Sequence, residues 1–151
     1  MIASRRRQRP CSIGFAKRSA GPPTLLTGVG RAYLAFCPEQ ERERILQRLR
    51  RSEKPDDRLA RDPKRLEEIF AEVRERGYAT RDPIFRGGHY GQPPFDDGLA
   101  AIAVPLLDRK RVHASVNILW TCTAFTVEEF AARHLSDLQS AAAEIVNSLR
   151  H

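Results

Sequence analysis

The side chains able to move protons stand as adjacent carboxylates at Glu67-Glu68, Asp96-Asp97 and Glu128-Glu129, with imidazoles at His113 and His134. Such groups serve as general acids and bases when the fold sets them against one another. Here the carboxylate pairs fall in or near the first turns of predicted helices or in a loop, where capping and solvation account for them. His113 reads as a strand histidine and His134 lies on the apolar face of the last helix. There is no Gly-x-Ser-x-Gly elbow, no phosphate-cradling glycine loop with a following lysine, and no His/carboxylate spacing suited to a metal. Three cysteines, Cys11, Cys37 and Cys122, give neither a disulfide framework nor paired zinc spacing, and reduced thiols fit the cytoplasm. The chain is therefore not expected to be an enzyme, and no cofactor or metal is expected.

Two features remain that suit binding rather than catalysis. Thr27 is a helix N-cap followed by Gly28 and Gly30, where the backbone of a neighbour or a ligand can come close. Asn117 places an amide inside an apolar strand, where leaving it unpaired and buried would cost roughly 1–3 kcal/mol. Its partner could be protein, water or a ligand.

The elements that must hold these groups begin with Gly98–Trp120, two apolar runs around the polar link Asp108-Arg109-Lys110, which predict a β-hairpin. The first run lacks alternation and is expected to be covered on both faces. The second alternates: Val112, Ala114, Val116, Ile118 and Trp120 are expected to point one way, His113, Ser115, Asn117 and Leu119 the other.

Ahead of the hairpin, Cys11–Ala16 is a weak strand candidate ended by Gly21-Pro22-Pro23. A helix follows Thr27 with Val29, Ala32, Tyr33, Phe36 and Cys37 in period, and a second spans Pro38–Arg51 with a narrow stripe of Ile45, Leu46 and Leu49. Ser52–Arg61 reads as a polar loop. Asp62-Pro63 then opens a third helix carrying Leu66, Ile69, Phe70 and Val73, closed by Gly77. Tyr78–Thr80 is a short strand. Asp82–Asp97, with three glycines, three prolines and the rings of Phe85, His89, Tyr90 and Phe95, is either a surface excursion or a lid over a binding site. Thr126 and Glu129 form a capping box for a final helix to Leu149, whose inward face should be Val127, Phe130, His134, Leu138, Ala141, Ile145 and Leu149.

The 151 residues, 41% hydrophobic and 30% charged, fit one globular domain, and no apolar run approaches the roughly 20 residues of a membrane helix. The net charge of +7 comes largely from Arg5, Arg6, Arg7 and Arg9, so residues 1–10 read as a disordered basic leader and 11–151 as the domain. These residues alone leave two readings open: an α+β ligand-binding module with a loop-roofed cavity near Asn117, or a dimerisation scaffold.

Four stretches carry a likeness: Gly-Val-Gly-Arg-Ala-Tyr-Leu-Ala-Phe (28–36), Arg-Gly-Tyr-Ala-Thr (76–80), Gly-Leu-Ala-Ala-Ile-Ala-Val-Pro-Leu (98–106) and Phe-Thr-Val-Glu-Glu-Phe (125–130). In this order and spacing they resemble the effector-binding domain of the IclR family of bacterial transcriptional regulators, over about residues 12–149. Phe-Cys-Pro-Glu (36–39) and the loop 90–97 resemble the branch that regulates degradation of aromatic acids such as hydroxyphenylpropionate. The resemblance implies an α+β, GAF-like or profilin-like domain, a mainly antiparallel sheet packed by helices. It implies assembly into dimers or tetramers, and DNA contact only through a winged helix-turn-helix ahead of the domain. The 151 residues leave no room for that winged helix or for the first strands, so the domain is expected to be N-terminally incomplete.

The resemblance also implies a small organic acid held by the glycines opening the first helix, by an acid after the Gly-Tyr motif, by a strand cysteine, and by serines on the last strand. Carried over, the effector-binding set is Gly28, Val29, Gly30, Asp82, Tyr90, Ala101 in the cysteine position, Asn117 and Leu119 in the serine positions, and Trp120 after them. Hydroxyl and thiol give way to apolar area, which favours an aromatic effector over a two-carbon acid.

Overall fold

The computed structural model describes residues 24–87 and 96–150. The basic leader, Cys11–Ala16, the Gly21-Pro22-Pro23 breaker and Tyr90 with its ring neighbours His89 and Phe95 lie outside the described residues.

Helices cover both faces of a three-stranded antiparallel sheet. In chain order they are α1 (Gly28–Phe36), α2 (Glu39–Arg50), a 3-10 helix (Pro55–Arg61), α3 (Pro63–Arg76), β1 (Ala79–Thr80), β2 (Leu99–Asp108), β3 (Arg111–Thr121) and α4 (Val127–Leu149). The sheet order is β1-β2-β3, with both pairings antiparallel.

The helix ends are written locally. Thr27 Oγ1 accepts from the Gly30 amide at 3.3 Å, Asp62 caps α3 through the Arg65 amide at 3.0 Å, and Gly77 closes α3 at φ 84°. Thr126 and Glu129 form the reciprocal capping box of α4 at 3.1 and 2.9 Å. The open carbonyls at the end of α1 are taken by cations from two other helices. Arg74 Nε donates to Ala35 O at 2.7 Å, and Arg42 donates to Leu34 O and Cys37 O, each at 3.1 Å. Positive charge at a helix C-terminus also meets its dipole favourably.

Two cores form, one on each face of the sheet. On one, α1 and α3 bury Leu25, Leu34, Phe70 and Val73 against Ala79, Ala103 and Val112. On the other, α4 sets Phe130, Leu138, Ala142 and Val146 against Ile102, Val104 and Trp120. Ala101–Val104 are all buried, as the unbroken apolar run of β2 requires of a strand covered on both faces.

Three expectations need correction. Leu106 pairs with Ala114 but Leu107 with Val112, so His113 is an extra residue on β3. This β-bulge carries Val112 across to the α1 side, away from Ala114, Val116, Ile118 and Trp120. The stretch read as a loop at 52–61 holds the 3-10 helix, whose single fully buried residue, Ala60, gives no periodicity to detect. In α4, Ala141 and Leu149 are exposed, and Ala142 and Val146 face inward instead.

Candidate functional site

The opening of α1 rests on the sheet. A Cβ added to Gly28 would lie 3.3 Å from Ala103 Cβ and 3.5 Å from Ala79 O. At Gly30 it would lie 1.9 Å from the carbonyl oxygen of Thr24. The closeness that both glycines permit is therefore used by the chain itself. The Gly30 amide is spent on Thr27, while no described residue accepts from the amides of Gly28 and Val29.

Ala103 pairs with Asn117 and Ala101 with Leu119. Directly opposed residues share a face, so Ala101, Asn117 and Leu119 lie on the side of the sheet that α1 covers. Asn117 is half-buried, and its amide meets no partner among the described residues. Ser115, two residues away on the same face, buries a hydroxyl that has no hydrogen-bond partner among the described residues. Leu119 is 40% exposed and Leu99 37%, leaving apolar area open on this face.

Two members of the expected set are placed elsewhere. Asp82 is bound into the chain: Oδ2 takes Arg31 Nη2 at 2.5 Å, Oδ1 takes the Ile84 amide at 3.0 Å, and its own amide donates to Leu26 O at 2.9 Å. Trp120 lies on the α4 face, because neighbouring strand residues point to opposite sides. Its ring stacks on Phe130 at 3.8 Å and its Nε1–H donates to Phe125 O at 3.0 Å. Tyr90 is outside the described residues. The structure thus brings Gly28, Val29 and Gly30 to the face of Ala101, Asn117 and Leu119, with Asp82 behind them and Trp120 across the sheet.

Arg31 is the residue that sequence reading missed. Its side chain is 9% exposed, and besides Asp82 it donates through Nε to Leu25 O at 2.7 Å. Burial pulls its guanidinium below the usual arginine range, and the charge of Asp82 opposes that pull. The only sequence signal was an arginine amid the apolar residues of the first helix.

The stem of the 82–97 excursion is closed by a second set of pairs. Arg81 Nη1 holds both oxygens of Asp97 at 2.8 and 3.0 Å, and Arg86 Nη1 holds Asp96 at 3.0 Å. The adjacent aspartates, read from sequence as solvated, are divided between two arginines.

Two surface hollows lie elsewhere. One of about 540 Å³ runs between α2 and α3 over Leu46, Leu66 and Phe70; the other, about 640 Å³, borders Cys37, Arg42 and Arg74. Neither includes a residue of the expected set. Among the described residues no group of three His, Cys, Asp or Glu is placed to hold a metal, and no helix is long and apolar enough to cross a membrane.

The chain and its fold are similar to known proteins. A family model described as the bacterial transcriptional regulator IclR C-terminal domain matches residues 21–147. The fold aligns with IclR of Thermotoga maritima at a TM-score of 0.59 and 25% identity, over 85% of this chain and 47% of that one. It aligns with an IclR family transcriptional regulator of Brucella abortus at 0.56 and 21%, over 83% and 44%. A double mutant of the PobR inducer-binding domain from Acinetobacter, in complex with 3-hydroxybenzoic acid, aligns at 0.57 and 19%, over 82% and 66%. The chain spans about half the length of the Thermotoga and Brucella proteins.

Proposed function

Since the chain belongs to the IclR C-terminal domain family of bacterial transcriptional regulators, we propose that it senses a small aromatic carboxylic acid on the α1 face of its sheet and assembles with copies of itself. The observation that carries the ligand reading is the seating of Gly28 on Ala103 beside Asn117, with the Gly28 and Val29 amides unspent. A carboxylate is taken at the helix opening, where free donors and the dipole favour negative charge. Asn117 anchors a polar substituent, and the ring lies on Ala101 and Leu119, which offer apolar area where a hydroxyl-lined site would offer hydrogen bonds. Asp82 acts from behind by fixing Arg31. Sequence-specific DNA reading is assigned to a winged helix separate from the described residues, and the regulator works in the cytoplasm. The PobR complex supports an aromatic acid as the effector class.

The test is a panel of 3-hydroxybenzoate, 3-phenylpropionate, 3-(3-hydroxyphenyl)propionate and glyoxylate, read by thermal shift. At about 100 times its dissociation constant a ligand adds roughly 2.7 kcal/mol, raising the melting temperature of a domain this size by about 5–10 °C. Aromatic acids should shift it and glyoxylate should not. No shift with any of them would favour the scaffold reading.

A further inference from the structure

Arg81 and Asp97 meet at one end of the ligand face. Arg81 Nη1 donates to both oxygens of Asp97 at 2.8 and 3.0 Å and to the carbonyl of Leu99 at 3.0 Å, while Asp97 Oδ1 also takes the Leu99 amide at 3.0 Å. The pair is thus pinned to the start of β2. Strand alternation puts Leu99 on the face of Ala101 and Ala103, and Arg81 and Asp97 continue the parities of Ala79 and Leu99 toward that same side. The Arg81 guanidinium lies over the Phe85 ring, 5.1 Å from its centre, and the two charged side chains are only 14% and 18% exposed.

The other end of this face is the opening of α1, where Gly28 sits on Ala103. Four strand residues separate Ala103 from Leu99, a distance of about 13 Å. A hydrogen bond of about 2.8 Å at each end leaves roughly 8 Å between the terminal oxygens of a ligand, the span of one aromatic ring with a short arm. Asn117 stands opposite Ala103 and so belongs to the first end.

We propose that Arg81 and Asp97 together recognise a hydroxyl at the far end of the ring, as specificity-determining residues for a hydroxylated aromatic acid. The inference rests on the α1-face site of the proposed function and names the second polar group of its ligand. A hydroxyl both accepts and donates. It accepts from the guanidinium, whose Nη1 alone makes the three bonds above, and it donates to the carboxylate. The pair carries no net charge, and Asp97 repels a second carboxylate. An unsubstituted ring takes water from both charged groups and returns a hydrogen bond to neither. Sites built around a hydroxyl therefore discriminate strongly against the analogue that lacks it.

The experiment is calorimetric titration of the whole chain with 3-(3-hydroxyphenyl)propionate, 3-phenylpropionate and 3-(3-methoxyphenyl)propionate. The hydroxylated acid should bind at least about 10-fold more tightly than the other two, the methoxy group failing because it cannot donate. Arg81→Met, with its circular dichroism unchanged, should bind all three alike. An undiminished preference in that variant would overturn the inference. If the variant does not fold, the methoxy acid decides: affinity equal to that of 3-phenylpropionate upholds the inference, and affinity equal to that of the hydroxylated acid overturns it. Equal affinity of the unaltered chain for all three would overturn the inference and leave the aromatic-acid reading standing. No binding by any of them would overturn both.

Discussion

Arg31 and Asp82, 51 residues apart in sequence, meet at 2.5 Å and tie the first turn of α1 to the stretch just after β1. The pair is largely withdrawn from water, with side chains 9% and 19% exposed, so removing one partner leaves the other charge without compensation. Arg31→Met and Asp82→Asn should each cost about 3 kcal/mol, at the low end of the range for buried pairs. That corresponds to about 6–12 °C in melting temperature for a chain of this size. The double variant should lose much less than the sum, and additive losses in chemical denaturation would show that the two side chains act independently.

The two glycines of α1 should respond differently to alanine. At Gly30 the new methyl would meet the Thr24 backbone at 1.9 Å, which no rotamer change relieves. Gly30→Ala should cost about 3 kcal/mol or more. At Gly28 the neighbour is Ala103 Cβ at 3.3 Å, a contact that a few tenths of an ångström would ease. Gly28→Ala should stay within about 1 kcal/mol, since alanine also favours the helix. Equal melting temperatures for the two variants would contradict the seating described.

Asn117 separates ligand binding from folding. With an amide that is half-buried and unpartnered among the described residues, Asn117→Leu should leave thermal stability within about 1 kcal/mol and abolish the shift given by an aromatic acid. An undiminished shift would place the ligand on other residues.

Acid should loosen the end of α4 before the rest of the domain. Arg150 clasps Asp108 at the hairpin turn, donating through Nε at 3.1 Å and through Nη2, and these bonds hold the carboxyl below its usual range. A depressed carboxylate contributes fully above its unfolded pKa of about 3.9 and loses that contribution as pH falls through the lower folded value. Protection of the amides near Leu149 against exchange should therefore fall below about pH 4. In Asp108→Asn it should already be low at neutral pH, and the two proteins should converge in acid.

The hairpin turn carries a correctable strain. Arg109 sits at φ 56°, a left-handed conformation that costs a side-chain-bearing residue about 1 kcal/mol. Arg109→Gly should be neutral to stabilising by up to about 1 kcal/mol in urea melts, and a marked loss would mean that the arginine side chain holds the turn.

What the sequence made legible is local. Thr27, the Asp62-Pro63 start with Gly77, and the Thr126–Glu129 box marked helix ends because capping chemistry acts within a few residues. The hairpin was legible for the same reason. The inward face of α4 was not, because Ala141-Ala142-Ala143 offers three equal choices and only the packing against Ile102 and Val104 selects among them. The bulge at His113 was hidden, since nothing in the residue marks it as extra. The alternation of β3 did place Trp120 opposite Asn117, and the family likeness that grouped them respects sequence adjacency rather than the two sides of a strand. Arg31–Asp82 depends on a contact across 51 residues, which no spacing rule reaches.

α1 is gripped at both ends by different partners: its opening presses on β1 and β2, and its last carbonyls are held by Arg42 of α2 and Arg74 of α3. Nine helical residues span only about 13 Å, too short a rod to bend. A displacement of the Gly28 end by even a fraction of an ångström is therefore delivered at Ala35 and Cys37, where it must stretch or turn the arginine bonds. α1 is in this sense a push-rod through the middle layer, and its far end opens onto α2 and α3, on the outer side of the domain from the sheet.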